Sequence, residues 1–294
     1  MSITQVLWIL LWVVGVAYGI FWVLRMRASL GFGWPSWLGV GVGFLTDFLD
    51  TLGIGSFAPT TSLFKFFKLV PDEQIPGTLN VGHTLPTVVE ALAFIAIVAV
   101  DPLTLVSLIV AAVLGAYLGA GLVARWPRRY VQIGMGAALL VAAVLFVMKN
   151  LSVSTGGTAL GLTGSTLVLG IVINFCLGAL MTIGVGLYAP AMIMIGLLGM
   201  DPKAAFPIMM GSCAFLMPAA SVRFVRLTAY DLKAALGLTI GGIPGVLVAA
   251  FIVKSLPMVA VRWLVIVVVL YAAFTMLRSA MVERRKETTA QASA

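Results

Sequence analysis

Two short stretches of similar sequence decide how the chain is organised. Residues 51–59 read TLGIGSFAP and residues 182–190 read TIGVGLYAP, so they share the Thr, both Gly, the Ala and the Pro. Each stretch interrupts an apolar run. Glycine lets a chain turn sharply, and proline is favoured at the first position of a helix. We therefore predict a half-helix beginning at each break, with Pro59 and Pro190 at its first helical position.

The two breaks belong to an internal repeat with an offset of 131 residues. Coincident Gly and Pro are informative here because they punctuate backbone geometry, whereas apolar matches mean little in so hydrophobic a chain. The matched pairs are Pro71 with Pro202, Pro76 with Pro207 and, after one deleted residue, Gly115 with Gly245 and Pro127 with Pro257.

The composition places the repeats in a membrane. Of the 294 residues 62% are apolar and 10% are charged, and the mean hydropathy is +1.14. A soluble domain carries about 25% charged residues. The net charge of +8 comes from basic residues between apolar segments, so it indicates topology and not nucleic-acid binding.

The apolar segments give an all-α, polytopic architecture. Beside single helices, each repeat starts with a broken pair, which either crosses the membrane twice or is re-entrant. The segments are 4–23, the broken pair 37–51 and 60–68, then 77–100, 103–124, 129–148, the second broken pair 165–182 and 191–199, then 203–222, 232–253 and 259–281.

Basic residues orient these segments, because cytoplasmic loops are enriched in Lys and Arg. Fourteen of the 18 fall on one side: Arg25, Arg27, Lys65, Lys68, Arg125, Arg128, Arg129, Arg223, Arg226, Lys233, Arg278, Arg284, Arg285 and Lys286. The other side has Lys149, Lys203, Lys254 and Arg262. We predict a multi-pass protein of a bacterial or archaeal cytoplasmic membrane, with the N-terminus outside, the C-terminus in the cytoplasm and the repeats inverted.

The chain divides accordingly into five parts. They are an N-terminal transmembrane helix (1–28), the first repeat (35–148), an external linker (149–163), the second repeat (164–282) and a cytoplasmic tail (283–294).

Two half-helix N-termini meeting near the bilayer midplane would form an anion site, because their free N–H groups and positive dipole ends point at the same place. Kinks used only for packing are the alternative. The predicted substrate-binding residues are Gly53, Gly55, Ser56, Phe57, Pro59, Thr60 and Thr61 at the first break, Gly184, Gly186, Tyr188 and Pro190 at the second, and Asn80 and His83 beside them.

A polar stripe follows the first break. Asn80, His83, Thr84, Thr87 and Glu90 fall on one helical face, whereas the second repeat has no such stripe. Intramembrane charges are costly and usually line pathways. We predict Glu90, Asp47 or Asp50 as the carrier of a coupling proton, with His83 as partner. Capping by Asp50 and packing by His83 are the alternatives.

The Gly-x-Gly…Pro segment at 53–59, the Gly77-Thr78 step and the repeat of the whole pattern resemble the TauE/SafE sulfite-exporter family of membrane permeases. The resemblance covers about residues 37–281. It implies movement of sulfite, sulfonates or related small sulfur-containing anions across the cytoplasmic membrane, usually outward.

Two other classes compete with a transporter. An anion-selective channel would use the same half-helix site without a proton carrier. An intramembrane phosphatase would need a Glu pair and a Ser/Arg-rich loop, and neither accompanies these breaks. The expected partners are a small anion, lipid and protons, and we expect no cofactor, no metal, no nucleic acid and no catalytic residue.

Overall fold

The structure is a computed structural model that describes residues 3–27, 33–123, 128–151, 157–181 and 187–292. Within those ranges it contains helices and no strand beyond an isolated bridge between Ala159 and Met200. The helices are α1 (Ile3–Arg27), α2 (Trp37–Thr51), α3 (Phe57–Phe67), α4 (Ile75–Ile97), α5 (Pro102–Val123), α6 (Arg128–Leu151), α7 (Gly164–Met181), α8 (Tyr188–Leu197), α9 (Ala205–Arg226), α10 (Leu232–Ser255) and α11 (Met258–Ala292). Short 3-10 turns precede α4 and α9.

The chain is a multi-pass membrane protein. Five described helices (α1, α4, α7, α9 with its preceding turn, and α10) are long and apolar enough to cross a bilayer. Large apolar side chains cover the outside, including Val13, Phe251 and Phe274, which are 58%, 75% and 62% exposed. Water would not tolerate so much apolar surface, so lipid covers it.

Several predicted boundaries shift. The half-helices α3 and α8 begin at Phe57 and Tyr188, so Pro59 and Pro190 stand at the third helical position. The first-position prediction is therefore wrong. Proline is tolerated at the third position for the same reason as at the first, because none of the first N–H groups of a helix has an intrahelical partner. The backbone of α11 also stays helical through Ala292, across most of the predicted tail.

Glycines bring two helix pairs into backbone contact. Helix α2 lies against α10, where Gly241 faces the Val40 carbonyl and Gly245 faces the Phe44 carbonyl. Helix α5 lies against α7, where Gly115 faces the Phe175 carbonyl. A side chain at any of these glycines would push the helices apart.

The start of α10 lies beside the starts of α2 and α4. Asp231 caps α10 by accepting from the Ala234 N–H at 2.8 Å, and its own N–H donates to Thr78 of α4 at 2.9 Å. Gly237 of α10 packs on Gly39 of α2. These three starts define one end of the molecule, called the Asp231 end below.

The starts of α5 and α9 lie together at the other end, called the Asp101 end. Asp101 caps α5 through the Thr104 N–H at 2.8 Å. The N–H groups of Asp101 and Asp201 donate to consecutive carbonyls, Leu160 and Ala159, at 2.8 and 2.9 Å. Residues 159–160 lead directly into α7, so α7 also starts at this end.

Helix α1 is held to the rest of the bundle by aromatic side chains with polar tips. Trp8 Nε1 donates to the Leu92 carbonyl at 3.2 Å, and the Tyr18 hydroxyl donates to the Val81 carbonyl at 3.3 Å. Both acceptors belong to α4. The N-terminal helix is therefore packed on the helix that carries the predicted polar stripe.

Candidate functional site

The first break is a sharp turn between α2 and α3 that only glycine adopts comfortably. Gly53 and Gly55 have φ of 94° and 89°, in the left-handed region. The Gly53 N–H donates to the Asp50 carbonyl at 2.7 Å, which closes the end of α2. A Cβ on Gly55 would meet no atom within 4 Å, so its requirement is the backbone angle and not space.

The half-helices α3 and α8 start in the same way. Ser56 and Leu187 precede them, and neither side chain caps its helix. The first bonds within the helices run from the Thr60 N–H to the Ser56 carbonyl and from the Ala191 N–H to the Leu187 carbonyl, both at 3.0 Å. The N–H groups before them have no partner within the helix, as the sequence predicts. Gly184 and Gly186 of the second break lie outside the described residues.

The first break reaches the second half-helix. A Cβ on Gly53 would lie 2.7 Å from the Met192 sulfur of α8 and 3.7 Å from Met209 of α9. The turn after α2 and the first turns of α8 therefore share one buried region.

A chain of three side chains links α2, α4 and α3. Asp47 Oδ1 lies 2.8 Å from His83 Nδ1, and His83 Nε2 lies 3.0 Å from the Thr60 hydroxyl. All three side chains are fully buried. Asp47 Oδ2 is buried without a hydrogen-bond partner. His83 is thus oriented at both ring nitrogens, and Thr60 places this chain in the first turn of α3.

A second chain links α2, α4 and α8 through Glu90. Its Oε1 lies 2.6 Å from the Thr51 hydroxyl, and its Oε2 accepts from the Tyr188 hydroxyl at 3.1 Å. Glu90 is fully buried. Because Tyr188 is the first residue of α8, Glu90 connects the last residue of α2 with the start of the second half-helix.

Asp50 completes the group at the start of α3. Its Oδ2 accepts from the Ser56 hydroxyl at 3.0 Å. The carboxyl of Asp50 thus occupies part of the N-terminal end of α3, as the capping alternative predicts for this residue. The break cluster, as we call it from here, consists of Asp47, Asp50, Thr51, Ser56, Thr60, His83, Glu90 and Tyr188.

The electrostatics of the break cluster are unusual for a membrane interior. The carboxyl groups of Asp47 and Asp50 are neighbours of the His83 imidazole, and that of Glu90 is a neighbour of both carboxyl groups. The ion pair described within the cluster is that between Asp47 and His83. Cys213 of α9 is a further titratable neighbour of Glu90. Burying several negative charges together is prohibitively costly, so the cluster must hold protons.

The polar stripe of α4 divides between two surroundings. His83 and Glu90 face the break cluster. Asn80 instead donates to the Pro76 carbonyl of its own helix at 2.9 Å, and the Thr84 hydroxyl lies 2.7 Å from that of Ser221 in α9. The role of Asn80 in the substrate site stays a prediction.

Two other threonines bear on the predicted site. The Thr61 hydroxyl donates to the Phe57 carbonyl at 2.8 Å, so it is engaged by its own helix. Thr51, in contrast, joins the cluster although the sequence assigned it no role beyond the repeat. Its position directly before the break, matched by Thr182, was the available signal. Among the described residues, no group of three or more His, Cys, Asp or Glu side chains is arranged to hold a metal ion.

The second half of the chain is similar to a known protein family. Residues 166–294 match the family model described as Sulfite exporter TauE/SafE. This match confirms the resemblance inferred from the sequence, and it covers the second repeat. No curated protein and no solved structure matches the chain. Several apolar helices and a match to a transporter family over the second repeat together indicate a membrane transport protein.

Proposed function

We propose that the protein is a secondary transporter that exports sulfite, sulfonates or related small sulfur-containing anions across the cytoplasmic membrane. The observation that carries the proposal is the break cluster, which joins the first turns of both half-helices to a buried acidic group. The family match supports the substrate class. The N–H groups at the starts of α3 and α8 are the proposed contacts for the anion.

Matching contacts support an inverted repeat. Gly245 of α10 faces the Phe44 carbonyl of α2, and Gly115 of α5 faces the Phe175 carbonyl of α7. Gly115 and Gly245 correspond at the offset of 130, and Phe44 and Phe175 at 131. The same contact is therefore made once between α2 and α10 and once between α7 and α5.

Helix ends follow the same correspondence. Asp101 and Asp231, separated by 130 residues, both cap the helix that follows them. At the ends of α3 and α8, Lys68 and Gly199, separated by 131 residues, have left-handed φ of 53° and 89°. The same caps thus occur in both halves, and the corresponding Asp101 and Asp231 lie at opposite ends of the molecule.

The positions of helix starts support a re-entrant path for each broken pair. Helices α2 and α4 both start at the Asp231 end, so α3 must bring the chain back to that end. Helices α7 and α9 both start at the Asp101 end, which places the same demand on α8. With 15 residues, α2 is about 22 Å long, which is short of a hydrocarbon core of about 30 Å. The turn after α2 then lies within the bilayer.

We place the Asp231 end in the cytoplasm, because Lys68, Arg226 and Lys233 lie at or near it and cytoplasmic loops are enriched in basic residues. The Asp101 end then faces outward, and the two half-helices enter from opposite sides. An anion bound between their starts is reachable from either side as the surrounding helices move. This arrangement favours alternating access.

The proposal is tested with purified protein in proteoliposomes loaded with labelled sulfite. Efflux should saturate with concentration, and unlabelled sulfite on the opposite side should accelerate it. Thr60→Asp should abolish efflux by placing a negative charge in the first turn of α3. Ser62→Asp is the matched control, since Ser62 is exposed and adds the same charge outside the cluster. Efflux that does not saturate or respond to unlabelled sulfite would indicate a channel, and equal efflux from both variants would refute the anion site.

A further inference from the structure

We propose that each anion moves together with two protons, one held by Glu90 and one shared by the Asp47–His83 pair. This inference rests on the proposed function and adds the stoichiometry and the direction of coupling. It is carried by the hydrogen-bond geometry of two buried threonine hydroxyls, each of which has a single proton to donate.

The first proton follows from Thr51. Its hydroxyl lies 2.8 Å from the Asp47 carbonyl and 2.6 Å from Glu90 Oε1, and both separations are short hydrogen bonds. One hydroxyl proton cannot serve both. Within a helix, the hydroxyl of Thr commonly donates to the carbonyl four residues earlier. The proton in the shorter contact then belongs to Glu90, which is a neutral acid that donates to Thr51 and accepts from Tyr188.

The second proton follows from Thr60 in the same way. Its hydroxyl donates to the Ser56 carbonyl at 2.8 Å, so the contact of 3.0 Å with His83 Nε2 requires an N–H on that nitrogen. Another proton must lie between His83 Nδ1 and Asp47 Oδ1, which are 2.8 Å apart. The Asp47–His83 pair is thus electrically neutral, whichever partner holds the proton.

The unpartnered oxygen of Asp47 supports a proton on the Asp47–His83 pair. Oδ2 is buried against Gly242 of α10 and accepts no hydrogen bond. A full carboxylate would leave charge on that oxygen without compensation, whereas a proton or a protonated imidazole at Oδ1 removes or balances the charge. Removing the proton from the pair would therefore cost free energy as long as Asp47 Oδ2 stays buried.

Charge repulsion sets the direction of coupling. The titratable groups around the two units are Asp50 from α2, Tyr188 from α8 and Cys213 from α9, and none of them can carry a positive charge. Losing either proton would add a negative charge beside Asp50 and beside the bound anion. The anion consequently binds the protonated cluster, and both protons travel in the same direction as the anion. Export is then driven by the outward concentration gradient of the anion itself and is opposed by an inward proton gradient. Acid inside vesicles should then accelerate efflux, whereas an exchanger would be accelerated by acid outside.

The two units are attached to different half-helices. His83 contacts Thr60 of α3, and Glu90 contacts Tyr188 of α8. Each N-terminus at the anion site is therefore connected to one proton. Movement of a dianion together with two protons transfers no net charge. Movement of a monoanion together with two protons transfers one net positive charge.

The test compares proton and anion flux in proteoliposomes with a trapped pH indicator. Thiosulfate and methanesulfonate serve as probes because they stay ionised as a dianion and a monoanion. We expect two protons per anion for both probes, with an imposed membrane potential affecting only methanesulfonate. Glu90→Gln and Asp47→Asn should each lower the ratio to one. Glu73→Gln, an exposed carboxyl outside the cluster, should leave the ratio at two.

The outcomes separate this inference from the proposed function. Anion movement with no proton flux, with protons moving oppositely, or with one proton in the wild type would overturn the inference and leave the transporter intact. Failure of the wild type to move sulfite or either probe would refute the proposed function itself. Because the wild-type ratio decides the matter, a variant that fails to fold does not weaken the test.

Discussion

Replacing Gly55 by alanine isolates the contribution of the backbone turn at the first break. The residue has φ of 89°, and an added Cβ would meet no atom within 4 Å. Its cost is therefore conformational strain, which is about 1–3 kcal/mol for a non-glycine residue held in such a region. We expect Gly55→Ala to lower the free energy of unfolding by about that amount and to slow sulfite efflux.

Gly41→Ala is the matched control. Gly41 lies within α2, where a Cβ also meets nothing within 4 Å, and its backbone is helical. Alanine is favoured over glycine inside a helix by roughly 0.5–1 kcal/mol, so this variant should be slightly stabilised. Reversible unfolding in mixed micelles measures both variants. The same sign of change for both, or no loss of stability for Gly55→Ala, would contradict the left-handed turn.

Three further predictions concern topology, helix packing and the cluster. In a cysteine-free background, Ser165→Cys should react with a membrane-impermeant maleimide in intact cells and Leu227→Cys only after permeabilisation; labelling of both in intact cells would rule out the orientation. Gly245→Ala should lower the free energy of unfolding by about 1–3 kcal/mol, because the methyl group meets the backbone of α2; an unchanged unfolding midpoint would exclude the close contact. Thr60→Val should lower the free energy of unfolding by about 1–3 kcal/mol by leaving a buried imidazole nitrogen unpaired, with Ser62→Ala unchanged; equal stability of these two variants would remove the histidine contact.

Most members of the break cluster were predictable because polar residues stand out in an apolar chain. Asp47, His83 and Glu90 are ionisable groups within apolar runs, and helical spacing puts His83 and Glu90 on neighbouring parts of one face. The repeated break identified Thr60 and Tyr188 in the same way. Periodicity and repeats can be recognised in the sequence alone, without any knowledge of how the helices pack.

The pairing of these residues was not predictable, since it depends on how helices distant in sequence meet. That Glu90 binds Thr51 and Tyr188, and His83 binds Asp47 and Thr60, follows only from the packing of α2, α3 and α8 around α4. The same limit hid the hydrogen bond of Asn80, which lies on the predicted stripe and donates to a carbonyl of its own helix.

Locating a bound substrate analogue tests the central claim most directly. Selenite is an anion with the pyramidal shape of sulfite, and selenium gives an anomalous diffraction signal at its absorption edge. Crystals soaked with selenite should show one selenium peak between the first turns of α3 and α8, close to Thr60 and Tyr188. A peak elsewhere in the bundle, or a peak of equal height at this position in Thr60→Asp crystals, would contradict an anion site between the two breaks.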